Sequence, residues 1–204
     1  MKFKIGYVGV GLMGGPMVKR LTSLGWSVRG YDIVAQRSST GSVAEAVAGA
    51  DVVLLNLPTN EAVEDVLEKL IPVLRAPQLV VDFSTIPVDA CRAHAARVLK
   101  ASGCRWVDAP VSGGPPAVEA GTLTVMAGGE AEDLERIAPL MKDIAGRCTR
   151  MGPVGAGLAA KMINQLIVGV GHAMLGEAVG LCEKAASTPH ASPNASPAAT
   201  RTAT

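Results

Sequence analysis

The 204-residue sequence has few aromatic residues and almost no net charge. Aromatic side chains make up 3% of the chain, so its core must be built from aliphatic residues. The net charge is +1, and Lys and Arg are scattered rather than arranged in a stripe, which disfavours nucleic acid or an anionic membrane surface as a partner. With 49% hydrophobic and 18% charged residues, the composition is that of a globular protein.

The sequence also has few cysteines and histidines and no long uncharged apolar run. The four cysteines form no C-x-x-C pair and have no ligand spacing with the three histidines, so no metal site is predicted. They are predicted to be reduced core residues of a cytoplasmic protein. No signal peptide is expected before the first strand. No run of about 20 apolar residues lacks a charge, so no membrane span is predicted.

The most informative stretch of the sequence runs from Ile5 to Gly14. A short apolar run passes directly into Gly9-x-Gly11-x-x-Gly14, and a helical pattern follows at once. In such a turn the glycines allow a tight bend, close approach of the backbone to a pyrophosphate, and close helix–strand packing. The first turn of the helix also offers free N–H groups to phosphate. The motif alone is weak, but its context predicts a dinucleotide-binding site.

A carboxylate near the end of the second strand strengthens this prediction. Asp32 lies eighteen residues after Gly14, close to the offset of about 20 at which an acidic residue meets the ribose 2′-OH of NAD. An ordinary solvated turn aspartate is the alternative. A carboxylate there would repel a 2′-phosphate, so NAD is predicted over NADP, although nearby Arg37 complicates this choice.

Strand and helix patterns alternate along residues 1–156. This alternation predicts an α/β fold with a Rossmann-type, doubly wound parallel sheet. The predicted strands lie near residues 3–9, 26–31, 51–57, 79–83, 105–108, 122–127 and 147–151, and the predicted helices near 14–24, 42–49, 60–71, 87–101 and 131–143, with a loop over 109–116.

The pattern changes near Gly157. Residues 157–184 predict one long helix, apolar on more than one face, as expected of the first helix of a larger all-α domain. Residues 185–204 form an Ala/Ser/Thr/Pro-rich tail, which is predicted to be disordered. The apolar surface of residues 160–182 predicts a homo-oligomer or a protein prone to aggregation.

Four blocks of the sequence, in this order and spacing, resemble the β-hydroxyacid dehydrogenases, the family of 3-hydroxyisobutyrate dehydrogenase and tartronate semialdehyde reductase. The resemblance covers about residues 4–184. The blocks are Gly9-Val-Gly-Leu-Met-Gly14, Asp82-Phe-Ser-Thr-Ile-Pro87, Asp108-Ala-Pro-Val-Ser-Gly-Gly114 and Gly155-Ala-Gly-Leu-Ala-Ala-Lys161-Met-Ile-Asn164-Gln165.

The resemblance implies a role for each block. It implies that Lys161 is the catalytic residue and that a serine–glycine–glycine loop grips the substrate carboxylate, although such a loop alone could be an ordinary turn. Imine reductases share this framework but lack the lysine. The implied cofactor-binding residues are Gly9, Gly11, Leu12, Met13, Gly14, Leu57, Pro58 and Thr85, and the implied substrate-binding residues are Ser112, Gly113, Gly114 and Gln165.

The sequence departs from the family pattern in two places. The segment between Asp32 and Asp51 is shorter than usual, and the helical domain that normally follows the long helix is replaced by the tail. The leading hypothesis is therefore a dehydrogenase that transfers a hydride between NAD and a short 3-hydroxy acid. The alternatives are a catalytically weak or inactive dinucleotide-binding remnant, and a non-catalytic interaction protein, for which the sequence offers no supporting motif.

Overall fold

The structure is a computed structural model, and it describes residues 2–185. Its strands are β1 Lys4–Val8, β2 Ser27–Tyr31, β3 Val52–Leu55, β4 Leu79–Asp82, β5 Arg105–Asp108, β6 Val111–Ser112, β7 Leu123–Gly128 and β8 Ala145–Gly152. Its helices are α1 Gly14–Ser23, α2 Val43–Val47, α3 Asn60–Leu70, α4 Val88–Ser102, α5 Gly114–Ala120, α6 Ala131–Ile144 and α7 Ala156–Lys184, with a short 3₁₀ turn at Ala35–Arg37.

The strands form one sheet in the order β2-β1-β3-β4-β5-β7-β6, with β8 pairing β7. The first five strands in this order are parallel. The chain moves from β1 to β2 on one side and then returns to place β3 on the other, which is the switch point of a doubly wound fold. The predicted Rossmann-type sheet followed by one long helix is confirmed.

Both faces of the sheet are buried, because helices cover each of them. Along β3, Val52 and Leu54 belong to one apolar cluster, and Val53 and Leu55 to the other. The central strands β1, β3, β4 and β5 therefore supply both clusters by simple alternation of their side chains. This explains why the strands read as continuous apolar runs rather than as an alternating pattern.

Residues 109–116 differ from the predicted loop. Val111–Ser112 forms β6, and α5 begins at Gly114 and ends before Gly121. Pro115 lies in the first turn of α5, and Gly121 has a φ of 71°. Proline at a helix start and a left-handed glycine just past its end are ordinary boundary signals, so this helix could have been found in the sequence.

The cysteine prediction is wrong in part. Cys91 and Cys104 are buried, but Cys148 is exposed on β8. The reason is that β8 pairs with β7 outside the main strand order of the sheet, and all of its residues are solvent-exposed or half-buried.

The described chain divides into two compact units, the first ending at Lys161 and the second beginning at Met162. In the second unit, α7 carries many exposed apolar side chains, among them Met162, Leu166, Ile167, Met174 and Leu181. By length and composition alone, α7 is long and apolar enough to cross a membrane, a test that core helices of soluble proteins also pass. The predicted tail lies outside the described residues, apart from Ala185.

Candidate functional site

The carboxyl ends of four parallel strands meet at one edge of the sheet. The register pairs Val8 with Leu55, Leu55 with Asp82, and Asp82 with Asp108. The loops that follow these residues contain the glycine-rich turn, the Leu57–Pro58 segment, Thr85 and the Ser112–Gly114 segment. Open α/β sheets bind their ligands at this edge, so the fold brings together the loops that the sequence singled out.

The fold itself requires glycine at two of the three motif positions. Gly9 has a φ of +96°, and a Cβ there would lie 2.2 Å from the carbonyl oxygen of Asn56. A Cβ on Gly14 would lie 2.0 Å from the carbonyl oxygen of Gly9. Around Gly11, in contrast, a Cβ would meet no protein atom within 4 Å. The protein itself therefore does not need glycine at position 11, as expected where a ligand approaches the backbone closely.

The start of α1 lies in the same turn. Met13 is its N-cap and makes no side-chain capping bond, and the first turn holds no acidic residue. The initial N–H groups of a helix have no partner within the helix and carry a partial positive charge. This helix start therefore suits a phosphate group.

A cleft of about 500 Å³ adjoins the turn. It lies between the ends of β1, β2 and β3, at the switch point of the sheet. The predicted cofactor residues that line it are Gly9, Gly11, Leu12, Met13, Gly14, Asp32, Leu57 and Pro58. Thr85 is exposed and is not among the residues lining this cleft.

Asp32 is held in place by its own loop. Its Oδ1 accepts a hydrogen bond from the N–H of Val34 at 2.8 Å, and its own N–H donates to Oγ of Ser38 at 2.7 Å. Val34 and Ser38 both belong to the short segment after β2, which therefore holds the carboxylate through Val34 and the backbone of Asp32 through Ser38. Arg37 lines the same cleft as Asp32, so the cleft carries both a carboxylate and a guanidinium group in this region of the chain.

One face of α3 also lines the cleft and was missed by the sequence reasoning. Its contributing residues follow the spacing i, i+3, i+4, i+7, which is one side of a helix; they are Ala62, Asp65, Val66 and Lys69. The spacing was visible in the sequence. Which side of α3 faces the cleft depends on how the helix packs against the sheet.

A relay of hydrogen bonds supports the Leu57 loop. The N–H of Leu57 donates to Oγ of Ser84 at 2.9 Å, and the N–H of Ser84 donates to Oδ1 of Asp82 at 2.9 Å. Asp82 is fully buried. Burial raises the pKa of Asp82 to about 7. The hydrogen bonds from Ser84 lower this pKa, and the charge of the neighbouring Asp108 raises it by a smaller amount.

Lys161 lies beside the serine–glycine–glycine loop. Its Nζ donates a hydrogen bond to the carbonyl oxygen of Val111 at 2.9 Å, one residue before Ser112. The lysine is 7% exposed, and burial lowers the pKa of its amine below the usual range. An amine of this kind can give or take a proton more readily than a solvated lysine.

The bend from the Ser112–Gly114 loop into α5 depends on a glycine. In the loop, Gly113 has a φ of +127°, and a Cβ there would lie 2.6 Å from Cβ of Ala117, so the bend into α5 requires glycine.

Among residues 2–185, no group of three or more His, Cys, Asp or Glu side chains is placed to hold a metal ion. Gln165 lies in the second unit, and its role remains a prediction.

The fold and the glycine-rich edge define a dinucleotide-binding α/β domain. Residues 4–152 match the family described as the NAD binding domain of 6-phosphogluconate dehydrogenase. The chain therefore belongs to this NAD-binding family.

Its relatives include proteins named as hydroxy acid dehydrogenases. A probable 3-hydroxyisobutyrate dehydrogenase of Mycobacterium tuberculosis is 38% identical over 191 residues, covering 88% of this chain and 64% of the relative. An NAD-dependent L-serine dehydrogenase of Pseudomonas aeruginosa is also 38% identical, over 87% of this chain and 65% of its own length. The chain thus spans slightly less than two thirds of these relatives.

A solved structure agrees with these sequence matches. The structure of the M. tuberculosis 3-hydroxyisobutyrate dehydrogenase with L-serine superposes with a TM-score of 0.86 at 36% identity, covering 91% of this chain and 67% of that one. The resemblance noted in the sequence is confirmed.

Proposed function

We propose that the protein is an NAD-dependent oxidoreductase that acts on a short 3-hydroxy acid, with Lys161 as the proton donor and acceptor. The observation that carries this proposal is the position of Lys161: a nearly buried amine, bonded to Val111 at the entrance of the Ser112–Gly114 loop. Bound NAD supplies the hydride acceptor in such a reaction. The protein's own residues must then bind, orient and manage the proton.

The residues of the cleft fit the cofactor. Gly11 leaves open space where a pyrophosphate would approach, and the N–H of Gly14 lies at the positive end of α1. The next two positions contribute less, because the N–H of Gly15 donates to the carbonyl oxygen of Gly11 at 2.8 Å and Pro16 has no N–H. Asp32 would accept hydrogen bonds from the ribose hydroxyl groups, which favours NAD over NADP. The match to an NAD-binding family supports the same assignment.

The Ser112–Gly114 loop would hold the substrate carboxylate. It combines the hydroxyl group of Ser112 with the backbone N–H groups of Gly113 and Gly114, an arrangement suited to an anion. The names of two relatives support a shared chemistry, since 3-hydroxyisobutyrate and L-serine both carry a carboxylate and an alcohol on the β-carbon.

Lys161 would handle the proton of that alcohol. Oxidation of the alcohol requires a base at its oxygen, and reduction of the carbonyl requires an acid there. The lowered pKa of Lys161 suits both directions, and its ammonium form can stabilise negative charge on the oxygen. We further propose a cytoplasmic location and no membrane or nucleic-acid partner.

An NAD(H)-linked rate assay with 3-hydroxyisobutyrate and L-serine tests this proposal. Lys161→Ala should reduce kcat about 100-fold or more and leave the Kd for NADH within about twofold. Lys100→Ala, which removes an exposed lysine of α4, serves as the matched control and should change neither. Cofactor binding without any lysine-dependent turnover would favour the alternative, a dinucleotide-binding module without activity.

A further inference from the structure

The carboxylate of Asp108 lies at the start of α7 and is completely buried. Its Oδ1 accepts a hydrogen bond from the N–H of Gly155 at 2.7 Å, and its Oδ2 accepts one from the N–H of Leu158 at 2.9 Å. Leu158 lies in the first turn of α7, and Gly155 directly precedes the helix, so no earlier carbonyl of the helix is available to either N–H. A residue at the end of β5 therefore performs the capping that a local side chain usually provides.

Two glycines allow this close approach. A Cβ on Gly157 would lie 2.8 Å from Oδ2 of Asp108 and 2.4 Å from the carbonyl oxygen of Met126. A Cβ on Gly128 would lie 2.4 Å from Oδ1 of Asp108. The start of α7 is thus packed against the ends of β5 and β7 more closely than any other residue type would permit.

Lys161 makes a second contact between the start of α7 and the residues that follow β5. Lys161 follows Leu158 by three residues, and Val111 follows Asp108 by three residues. The bond from Leu158 to Asp108 and the bond from Lys161 to Val111 therefore join the two segments at matching intervals. Residues three apart lie on the same side of a helix, so a shift of the first turn of α7 would carry the Lys161 side chain with it.

We propose that Asp108 is the positioning residue for Lys161: its buried carboxylate fixes the first turn of α7 and thereby holds the Lys161 amine against Val111. The proposal deepens the function proposed above and rests on it for its catalytic consequence. Asp82 provides a natural comparison, because it is the register partner of Asp108 on β4 and is equally buried. Its carboxylate bonds to Ser84 and not to α7.

The first test needs no enzymatic activity. The ε-methylene resonance of Lys161 is followed by NMR as a function of pH in the wild type, in Asp108→Asn and in Asp82→Asn. In Asp108→Asn the side-chain amide would present an N–H group to a backbone N–H, so the first turn should loosen and expose the amine. We expect the pKa of Lys161 to rise toward the ordinary value of about 10.4 in Asp108→Asn, and to stay lowered in Asp82→Asn.

An unchanged titration of Lys161 in Asp108→Asn would overturn the proposal. If Asp108→Asn does not fold, as judged by circular dichroism, amide hydrogen exchange of the wild type decides. Because the first N–H groups of a helix are normally unprotected, slow exchange at Leu158 supports the bond to Asp108. Exchange at the rate of an open helix start contradicts it.

The second test is a double-mutant cycle on kcat. Asp108→Asn should lower kcat about 10- to 100-fold, as expected for a displaced catalytic group, and should leave the Kd for NADH within about twofold. In the Lys161→Ala background the same substitution should have no further effect on kcat. Equal effects in both backgrounds would show that Asp108 does not act through Lys161. Absence of turnover in the wild type would count against the proposed function only, since the NMR test stands by itself.

Discussion

Nζ of Lys161 lies 2.9 Å from the carbonyl oxygen of Val111, which ties the start of α7 to the short strand leading into the Ser112–Gly114 loop. The two residues are fifty positions apart in the chain. Their contact places an amine of lowered pKa at the sheet edge to which the glycine-rich turn also belongs. This edge and the elements around it lead to five measurable expectations.

The rate of alcohol oxidation should depend on the protonation of Lys161. Burial lowers the pKa of this amine, and oxidation requires its neutral form, so kcat for oxidation should rise with pH and level off below about 10.4. In the direction of reduction the ammonium donates the proton, so kcat should fall across the same pH range. A Lys161→Arg variant, whose guanidinium stays protonated, should lack this inflection. An unchanged profile in that variant would exclude Lys161 as the titrating group.

Gly11→Ala should separate cofactor binding from folding. A Cβ at this position meets no protein atom within 4 Å, so the free energy of unfolding should change by less than about 1 kcal/mol. The Kd for NADH, measured by fluorescence, should rise at least about tenfold, because the methyl group occupies the space of the pyrophosphate. Gly14→Ala is the contrasting variant, since its Cβ would lie 2.0 Å from a backbone oxygen, and its melting temperature should fall clearly.

Asp82 should make the stability of the domain depend on pH. Burial raises the pKa of this carboxyl to about 7, whereas an unfolded aspartate titrates near about 3.9. Between these values the folded state holds a proton that the unfolded state has released, so this group makes the free energy of unfolding fall as pH rises through the window.

Asp82→Asn removes that dependence. The difference in the free energy of unfolding, variant minus wild type, should be larger at pH 8 than at pH 4 by up to about 4 kcal/mol. Urea unfolding of both proteins at the two pH values measures the difference. The same free-energy difference between variant and wild type at both pH values would contradict a raised pKa.

Asp32→Ser should change the preference between the two cofactors. The N–H of Val34 holds the carboxylate of Asp32. Replacing the carboxylate should remove both the proposed contact with the ribose and the repulsion of a 2′-phosphate. We expect kcat/KM to fall about tenfold or more with NAD and to rise with NADP, helped by Arg37 in the same cleft. The double variant Asp32→Ser, Arg37→Ala should lose the gain with NADP. A gain that persists there would exclude a role for Arg37.

The second unit should associate through its apolar surface. Leu166, Ile167 and Leu181 are each more than 60% exposed, and contiguous apolar surface of this kind favours association. Sedimentation velocity should therefore detect species that grow with protein concentration, and Leu166→Glu combined with Ile167→Glu should shift them toward monomer. A wild-type monomer at all concentrations contradicts this prediction. Flotation of the wild type with phosphatidylcholine vesicles would instead point to a membrane partner for α7.

Several parts of the fold could be predicted because their signals are local. The glycine spacing, the offset of Asp32 and the alternation of apolar runs with helical patterns are all properties of contiguous sequence. Helix α5 was missed although its proline and glycine boundaries were present. The cleft-facing side of α3 was missed for a different reason: its spacing is local, but its orientation depends on the packing of the helix against the sheet.

The amino-acid sequence by itself determined that this chain forms a parallel α/β sheet with a dinucleotide turn, because the alternating apolar and helical patterns and the spacing of Gly9, Gly11 and Gly14 are properties of contiguous residues. Only the tertiary structure decided that Lys161 is buried and that Asp108 caps α7. Both facts depend on which strand ends meet which helix start, across separations of 47 to 50 residues. Contacts of that kind are set by the order of strands in the sheet, and no local pattern encodes them.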